Sequence, residues 1–441
     1  MHFLLVRYQY RCIDFLSSDI NLLPWSQQLN YRELEASPSA APAQDREGVD
    51  WTRLFASRAS AGGGELTAIL ALAGSTDTVT FSGGFPAKET FPVSEVQEVV
   101  DELLRSDAAR ALQYSPTEGL PASRAAVADF VSSQGVRPDP DDVLITSGSI
   151  EALQLLSRVL LEPGDAVLVE APSYLGAVMA FAGSGATITG IRMDAHGLVV
   201  SELETVLASG LRPKLFYVIP DYQNPTGLSL TAERRRALVS VCRRYGLLCI
   251  EDVAYRELGF DGEPPPSLWS LAPDVVVQIG TFSKTLFPGV RLGWAIGPRE
   301  VVRAMTVAKQ NSDQCAGALG QRIMERFVTE GRFPAHLAAA RALYARRAEI
   351  MLAALARHMP DGVQWTKPRG GFFVWLTASE GVDTAQLAPV ALEMKVAYVP
   401  GAPFYADARG RNQLRLAYSG VPDEDIEEGI ARLATLLANE P

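Results

Sequence analysis

Lys284 and Arg291 stand seven residues apart in GTFSKTLFPGVRLGW, just past the apolar run VVVQI at 275–279. Cations are costly at the lip of a buried strand unless an anion or an electrophile meets them. Thr281, Ser283 and Arg291 together suit a phosphate, the arginine through its planar fork. A lysine in a partly desolvated site sheds its proton and attacks a carbonyl carbon. Four other stretches carry groups that fit the same kind of ligand. TSGSIEAL puts Gly148 and Ser149 at a strand-to-helix turn, where free N–H groups favour an anion; a Gly-Ser helix cap also forms without one. In APSYLGA, Tyr174 follows Pro172 by two residues, as an aromatic that either stacks on a planar ring or fills the core. YQNPTG presents Asn224 at the tip of a turn that Gly227 ends, and its amide can donate to a ring oxygen. IEDVAY holds Asp252 and Tyr255; a carboxylate ending an apolar strand asks for a cation or a proton, unless it caps a helix.

All of these residues require strands behind them. From about residue 93 to 300, strand-like and helix-like runs alternate: DVLIT (142–146), AVLVE (166–170), ATITGI (186–191), KLFYVIP (214–220), LLCIED (247–252) and VVVQIG (275–280) read as strands. GSIEALQLLSRVLL reads as a helix, and so does TAERRRALVSVCRRYG, with Thr231 as its N-cap and Gly246 just past its end. Strands without polar alternation, interleaved with helices, mean a mostly parallel sheet covered on both faces. Loops beyond the strand ends then carry the ligand. After Trp294 a helical region covers 312–358, and GGFFVWL, VAYVP and NQLRLAY read as strands of a smaller unit that residues 51–92 join.

The chain has 441 residues, 47% hydrophobic and 21% charged, with a net charge of −11. The length suits two or three domains. The acidic balance argues against a nucleic-acid partner, which favours a basic patch. Cys12, Cys242, Cys249 and Cys315 form no CxxC pair, and His2, His196, His336 and His358 no HExxH pair, so no metal site is expected. No apolar run approaches the about 18 residues of a membrane span. FLLV near the start is too short for a signal peptide, and ASPSAAPAQDREG reads as a flexible linker. Residues 1–50 are thus expected to be a disordered extension, and the protein cytoplasmic.

Taken in order, FSGGFPAKETFP, LQYSPTEGLP, TSGSIEAL, EAPSYLGA, QNPTG, EDVAYREL, TFSKTLFPGVRLGW, KPRGGFFVW, VPGAPF and LRLAYSG carry a resemblance. Over roughly residues 65–435 the chain resembles the fold-type I, class I/II aminotransferases that use pyridoxal 5′-phosphate, closest in look to the 2-aminoadipate and kynurenine branch. The resemblance implies an α/β fold. Its large cofactor-binding domain, 93–311, carries a mostly parallel seven-stranded sheet. A smaller α+β domain is built from 51–92 with 312–441. It implies amino transfer between an L-amino acid and a 2-oxo acid in ping-pong order. Lys284 then matches the lysine that bonds the cofactor aldehyde, Asp252 the partner of the ring nitrogen, and Tyr255 and Asn224 those of the ring oxygen. Tyr174 matches the ring stacker. Gly148, Ser149, Ile150, Ser283 and Arg291, with Thr281 as a further member, match the phosphate cup. Arg415 matches the arginine that grips the substrate α-carboxylate, with Gly84 and Asn224 beside the substrate. Tyr114 matches a tyrosine reaching the neighbouring subunit's phosphate, which implies a homodimer.

Two departures bear on specificity. The family often has Gln after Gly-Ser, whereas here Ile150 and Glu151 follow, leaving only a backbone contact. The 2-aminoadipate branch carries an arginine in the N-terminal helix for the distal carboxylate; the stretch GGGELTAILAL has no basic residue. Burying a distal carboxylate without that cation is costly, so a neutral aromatic, arylglycine or other apolar side chain is expected. Phe85, Phe404 and Tyr405 are candidate walls, with ordinary packing as the alternative reading of each. The same scaffold also serves C–S β-lyases, cyclopropane-forming synthases and aminotransferase-like transcription regulators. For the last, the segment before residue 50 makes a poor winged helix.

Overall fold

The computed structural model describes residues 51–56, 77–407 and 409–438. The expectations for residues 1–50 and for GGGELTAILAL lie outside them. The apolar runs form one sheet: β1 (Val143–Thr146), β2 (Ala166–Ala171), β3 (Thr187–Asp194), β4 (Gly197–Leu198), β5 (Leu215–Val218), β6 (Leu248–Asp252), β7 (Val276–Thr281) and β8 (Gly293–Ile296). Its order is β1-β8-β7-β6-β5-β2-β3-β4. The seven expected strands are joined by a two-residue eighth, β4, which returns antiparallel to β3 through a turn that Gly197 completes at φ +87°. Pairing is parallel from β7 through β3. β8 runs antiparallel between β1 and β7.

That arrangement decides where chemistry can sit. β1 and β7 both oppose β8 and are therefore parallel to each other. The carboxyl ends of β1, β2, β5, β6 and β7 thus lie along one edge of the sheet, where the loops of a parallel sheet hold ligands. The helices Ser149–Leu160, Leu175–Gly183 and Arg299–Gln310 cover one face. Leu153, Leu156 and Phe181 pack there with Val167, Val169, Tyr217, Ile250 and Ile279, all buried. The helix Ala232–Tyr245 has the expected ends: the Thr231 hydroxyl accepts from the Arg234 N–H, and Gly246 is left-handed. The expected helical region splits into Ala318–Thr329 and Arg332–His358, separated at Gly331 with φ +70°.

A second, antiparallel sheet comprises β9 (Gln364–Trp365), β10 (Phe373–Thr377), β11 (Val399–Pro400) and β12 (Gln413–Ala417), ordered β9-β10-β12-β11. Arg415 sits mid-sheet, opposite Trp375 on one side and Val399 on the other. The segment Val79–Thr80 pairs with Val396–Ala397, and the Ala417 N–H then donates to the Phe81 carbonyl at 2.9 Å. Residues 82–85 are thereby laid alongside β12.

Candidate active site

The loop from β7 to β8 holds Lys284 and Arg291. Beside it, the Thr281 hydroxyl donates to the Leu292 carbonyl at 3.1 Å and accepts from the Ser283 N–H at 3.1 Å. Those bonds curl the chain so that Lys284 projects toward residues 82–85, where Nζ donates to the Gly84 carbonyl at 2.7 Å. Arg291 takes a left-handed backbone, φ +50°. Its guanidinium turns back to donate to Ser283 Oγ at 3.2 Å and the Ser147 carbonyl at 3.1 Å. Gly148, with φ +93°, begins the helix Ser149–Leu160, and a Cβ there would lie 2.9 Å from Arg291 Nη2. Glycine alone leaves that space open. Gly148, Ser149, Ile150, Thr281, Ser283 and Arg291 are thus gathered at one helix N-terminus. The Ile150 side chain packs inward against the core, so only its backbone can face the cup.

Asp252 ends β6 and is 2% exposed. Its Oδ2 accepts from the Tyr217 hydroxyl at 2.8 Å and its Oδ1 from the Ala254 N–H at 3.0 Å. The second bond closes a turn, and Asp252 caps no helix, the alternative left open by the sequence; the first bond belongs to the sheet core. Desolvation raises the Asp252 carboxyl to about 6, against the lowering effects of the Tyr217 and Ala254 donors and the Lys284 charge. Desolvation lowers the Lys284 amine to about 8, with the Arg415 and Arg291 charges acting the same way. Burial also pushes the Tyr174 hydroxyl up to about 12 and the Tyr255 hydroxyl higher still. Asn224 donates to Tyr255, while its Oδ1 accepts from Arg415 Nη1 at 2.9 Å. Arg415 Nη2 donates to the Ser82 carbonyl at 2.7 Å, and Nε, although buried, has no partner. The rings of Phe373 and Phe404 lie 4.5 and 5.1 Å from its Cζ.

Three cations therefore converge without an anion: among the described residues, no carboxylate pairs with Lys284, Arg291 or Arg415. Arg415 is buried, Lys284 half-buried and Arg291 exposed, and a buried or half-buried cation left without a paired carboxylate calls for an anionic ligand. The cup at Gly148 and Arg291 fits a phosphate. Asp252 fits a basic ring nitrogen, the Tyr255–Asn224 pair a ring oxygen, and the Lys284 amine, its proton loosened by burial, an aldehyde. Arg415 adds a second anion site, shaped for a carboxylate by its fork. The residues thus fit pyridoxal 5′-phosphate and an α-amino acid.

Apart from Tyr114 and the inward-packed Ile150 side chain, the expected site residues lie along this edge of the sheet or on the 82–85 segment beside it. The Tyr114 side chain is 76% exposed. Of the expected walls, Phe404 lies beside Arg415, Tyr405 packs on Trp375 at 6.4 Å, and Phe85 is 43% exposed. Sequence reasoning missed Tyr217, Phe373 and the Ser82 carbonyl. Tyr217 looked like one more apolar strand residue, and only the pairing of β5 with β6 reveals its neighbour.

The family model for aminotransferase class I and II matches residues 77–433. An aromatic-amino-acid aminotransferase from Thermococcus litoralis is 38% identical over 400 residues, 89% of this chain and 96% of that protein. A 2-aminoadipate transaminase from Thermus thermophilus is 41% identical over 363 residues, 81% of this chain and 90% of its own. The crystal structure of a Pyrococcus horikoshii kynurenine aminotransferase, in complex with PMP and with kynurenine as substrate, superposes with a TM-score of 0.85 at 37% identity. It covers 88% of this chain and 98% of that one.

Proposed function

Because the chain belongs to the class I and II aminotransferases, we propose that it transfers the amino group of an L-amino acid with a neutral aromatic, arylglycine or other apolar side chain to a 2-oxo acid, in ping-pong order. It is a transaminase, its substrates are amino and 2-oxo acids, and pyridoxal 5′-phosphate is its cofactor. When bound, that cofactor supplies an aldehyde that captures amines and a ring that draws electrons from the carbon next to nitrogen. The observation that carries the reading is the Lys284 amine held against the Gly84 carbonyl at 2.7 Å, on the same loop that turns Arg291 onto the start of the Gly148 helix.

The residues divide the work. Gly148, Ser149, Ile150, Ser283 and Arg291, with Thr281 behind them, hold the phosphate; Tyr174 stacks on the ring; Asn224 and Tyr255 hold its oxygen. Asp252 holds a proton at the ring nitrogen. Arg415 orients the substrate α-carboxylate, with Asn224 and Gly84 beside it. Lys284 Nζ would take the proton from the substrate Cα and give it back, as base and then acid. An amine lowered to about 8 is suited to both tasks near neutral pH. Tyr114, exposed on one subunit, reaches the phosphate of a second copy, which makes the protein a homodimer.

Arg415→Ala is expected to raise KM about 100-fold for every α-amino acid tested, since a bidentate charged contact is lost. A loss confined to one donor would move this arginine to the side-chain pocket. The apolar preference rests on the Phe373 and Phe404 rings beside Arg415. Arg409, which lies over the Tyr405 ring at 5.7 Å, is already paired with Asp407 at 2.8 Å. A donor panel against 2-oxoglutarate tests the preference. Phenylalanine, kynurenine, phenylglycine and leucine should outpace 2-aminoadipate and aspartate in kcat/KM. The reverse order would replace this reading with an acidic specificity, as in the name of the Thermus thermophilus relative.

A further inference from the structure

Tyr217 has no role in the scheme above, yet it is the side chain that donates to Asp252. It is fully buried in β5 and belongs to the apolar cluster under the covering helices. Parallel pairing sets Tyr217 opposite Ile250. Asp252 follows Ile250 by two residues and so points to the same face of the sheet. The phenol is held edge-on by Phe181, with ring centroids 6.0 Å apart. Its hydroxyl therefore arrives at Asp252 Oδ2 from the rigid core, at 2.8 Å, while the Ala254 N–H holds Oδ1 from the loop side. Two donors on two oxygens fix the plane of the carboxylate.

A phenylalanine would fill the same space in the strand run LFYV without a polar atom to satisfy. The hydroxyl is thus an added polar group inside an apolar cluster, and the bond the structure shows it making is to the acid. We propose that Tyr217 is a positioning residue for the transamination, aiming the Asp252 carboxylate at the cofactor's ring nitrogen and keeping it ionised. This rests on the reading of Asp252 given above.

The groups that face Asp252 are Glu170 at the end of β2, Tyr217 on β5, Glu251 beside it on β6, Tyr174 and Tyr255 in the neighbouring loops, and Lys284 beyond β7. The two glutamates disfavour its charge. Lys284 and the Tyr217 hydroxyl favour it. Because the donor stabilises the ionised form, removing it raises the carboxyl further, and activity is lost at a higher pH as the solution is acidified.

Tyr217→Phe keeps the ring and tests the hydroxyl. It is expected to lower kcat about tenfold with little change in KM, since a hydrogen bond to a charged group is lost. The acid limb of the kcat profile should move up by up to about one pH unit. Equilibrium dialysis of the apoprotein against pyridoxal 5′-phosphate should show weaker binding, more so at pH 6 than at pH 8. In an Asp252→Asn background, which has no carboxylate to titrate, the same change should move no acid limb. Tyr217→3-fluorotyrosine, a stronger donor with the same packing, should move the acid limb the other way. An unmoved profile and unmoved affinity in both variants, or an equal loss with and without Asp252, would reduce Tyr217 to packing. If Asp252→Asn alone works at the wild-type rate, it is the parent reading that falls.

Discussion

Lys284→Ala is expected to lose amino transfer by about 10⁴-fold or more, because one amine serves as attachment point, base and acid. The surroundings of Lys284 make it suited to all three roles. Among the described residues Nζ has one hydrogen-bond acceptor, the Gly84 carbonyl, and burial, joined by the Arg415 and Arg291 charges, loosens its proton against the pull of Asp252. An ordinary lysine near 10.5 has almost no neutral amine at neutral pH, whereas one lowered to about 8 keeps a usable fraction that can accept a proton. The variant should also lose the visible absorbance of the lysine-bound cofactor while its thermal midpoint stays within a few degrees, since no ion pair is broken. Added methylamine should restore part of the proton transfer. Wild-type turnover in Lys284→Ala, or a cofactor that stays covalently attached to it, would leave the assignment without foundation.

The sheet could be read in advance because its strands are buried on both faces and appear as unbroken apolar runs. The ligand loops could be read because Gly148, Asn224, Asp252 and Lys284 each interrupt such a run with a residue that costs energy there unless something meets it. What could not be read was lateral. The placement of β8 antiparallel between β1 and β7 depends on a return loop whose direction the residues 282–292 do not declare, yet it is what swings Arg291 onto Gly148. Arg415 and Asn224 lie 191 residues apart and share a hydrogen bond. That contact ties the second sheet to the loop after β5, and no local pattern contains it. Tyr217 was hidden for a different reason: tyrosine is as good a strand residue as phenylalanine, so its hydroxyl has meaning only once its neighbour strand is known.

Asp252→Asn is expected to keep the fold and the cofactor but to slow turnover by about 10²–10⁴-fold, the effect of about 3–5 kcal/mol for one partner lost from a buried charged pair. The fold survives because an amide matches the site: its oxygen can accept from the Ala254 N–H and its nitrogen can donate to the Tyr217 oxygen, with that hydroxyl turned around. The cofactor survives because its phosphate and aldehyde are held elsewhere, by the cup and by Lys284. What an amide cannot do is carry the negative charge that keeps a proton on the ring nitrogen. The pH profile separates this cause from a packing defect. Asp252 sits at about 6 in the protein and is ionised above that, so wild-type activity should fall off in acid as the carboxylate is neutralised. A bound cationic ring lowers the midpoint without removing it. In Asp252→Asn that limb should vanish and the residual rate should lie flat through the same range. A variant that is slow but keeps the wild-type acid limb would show that the titrating group is another, with Glu170, pushed up to about 8 by burial, the next to examine.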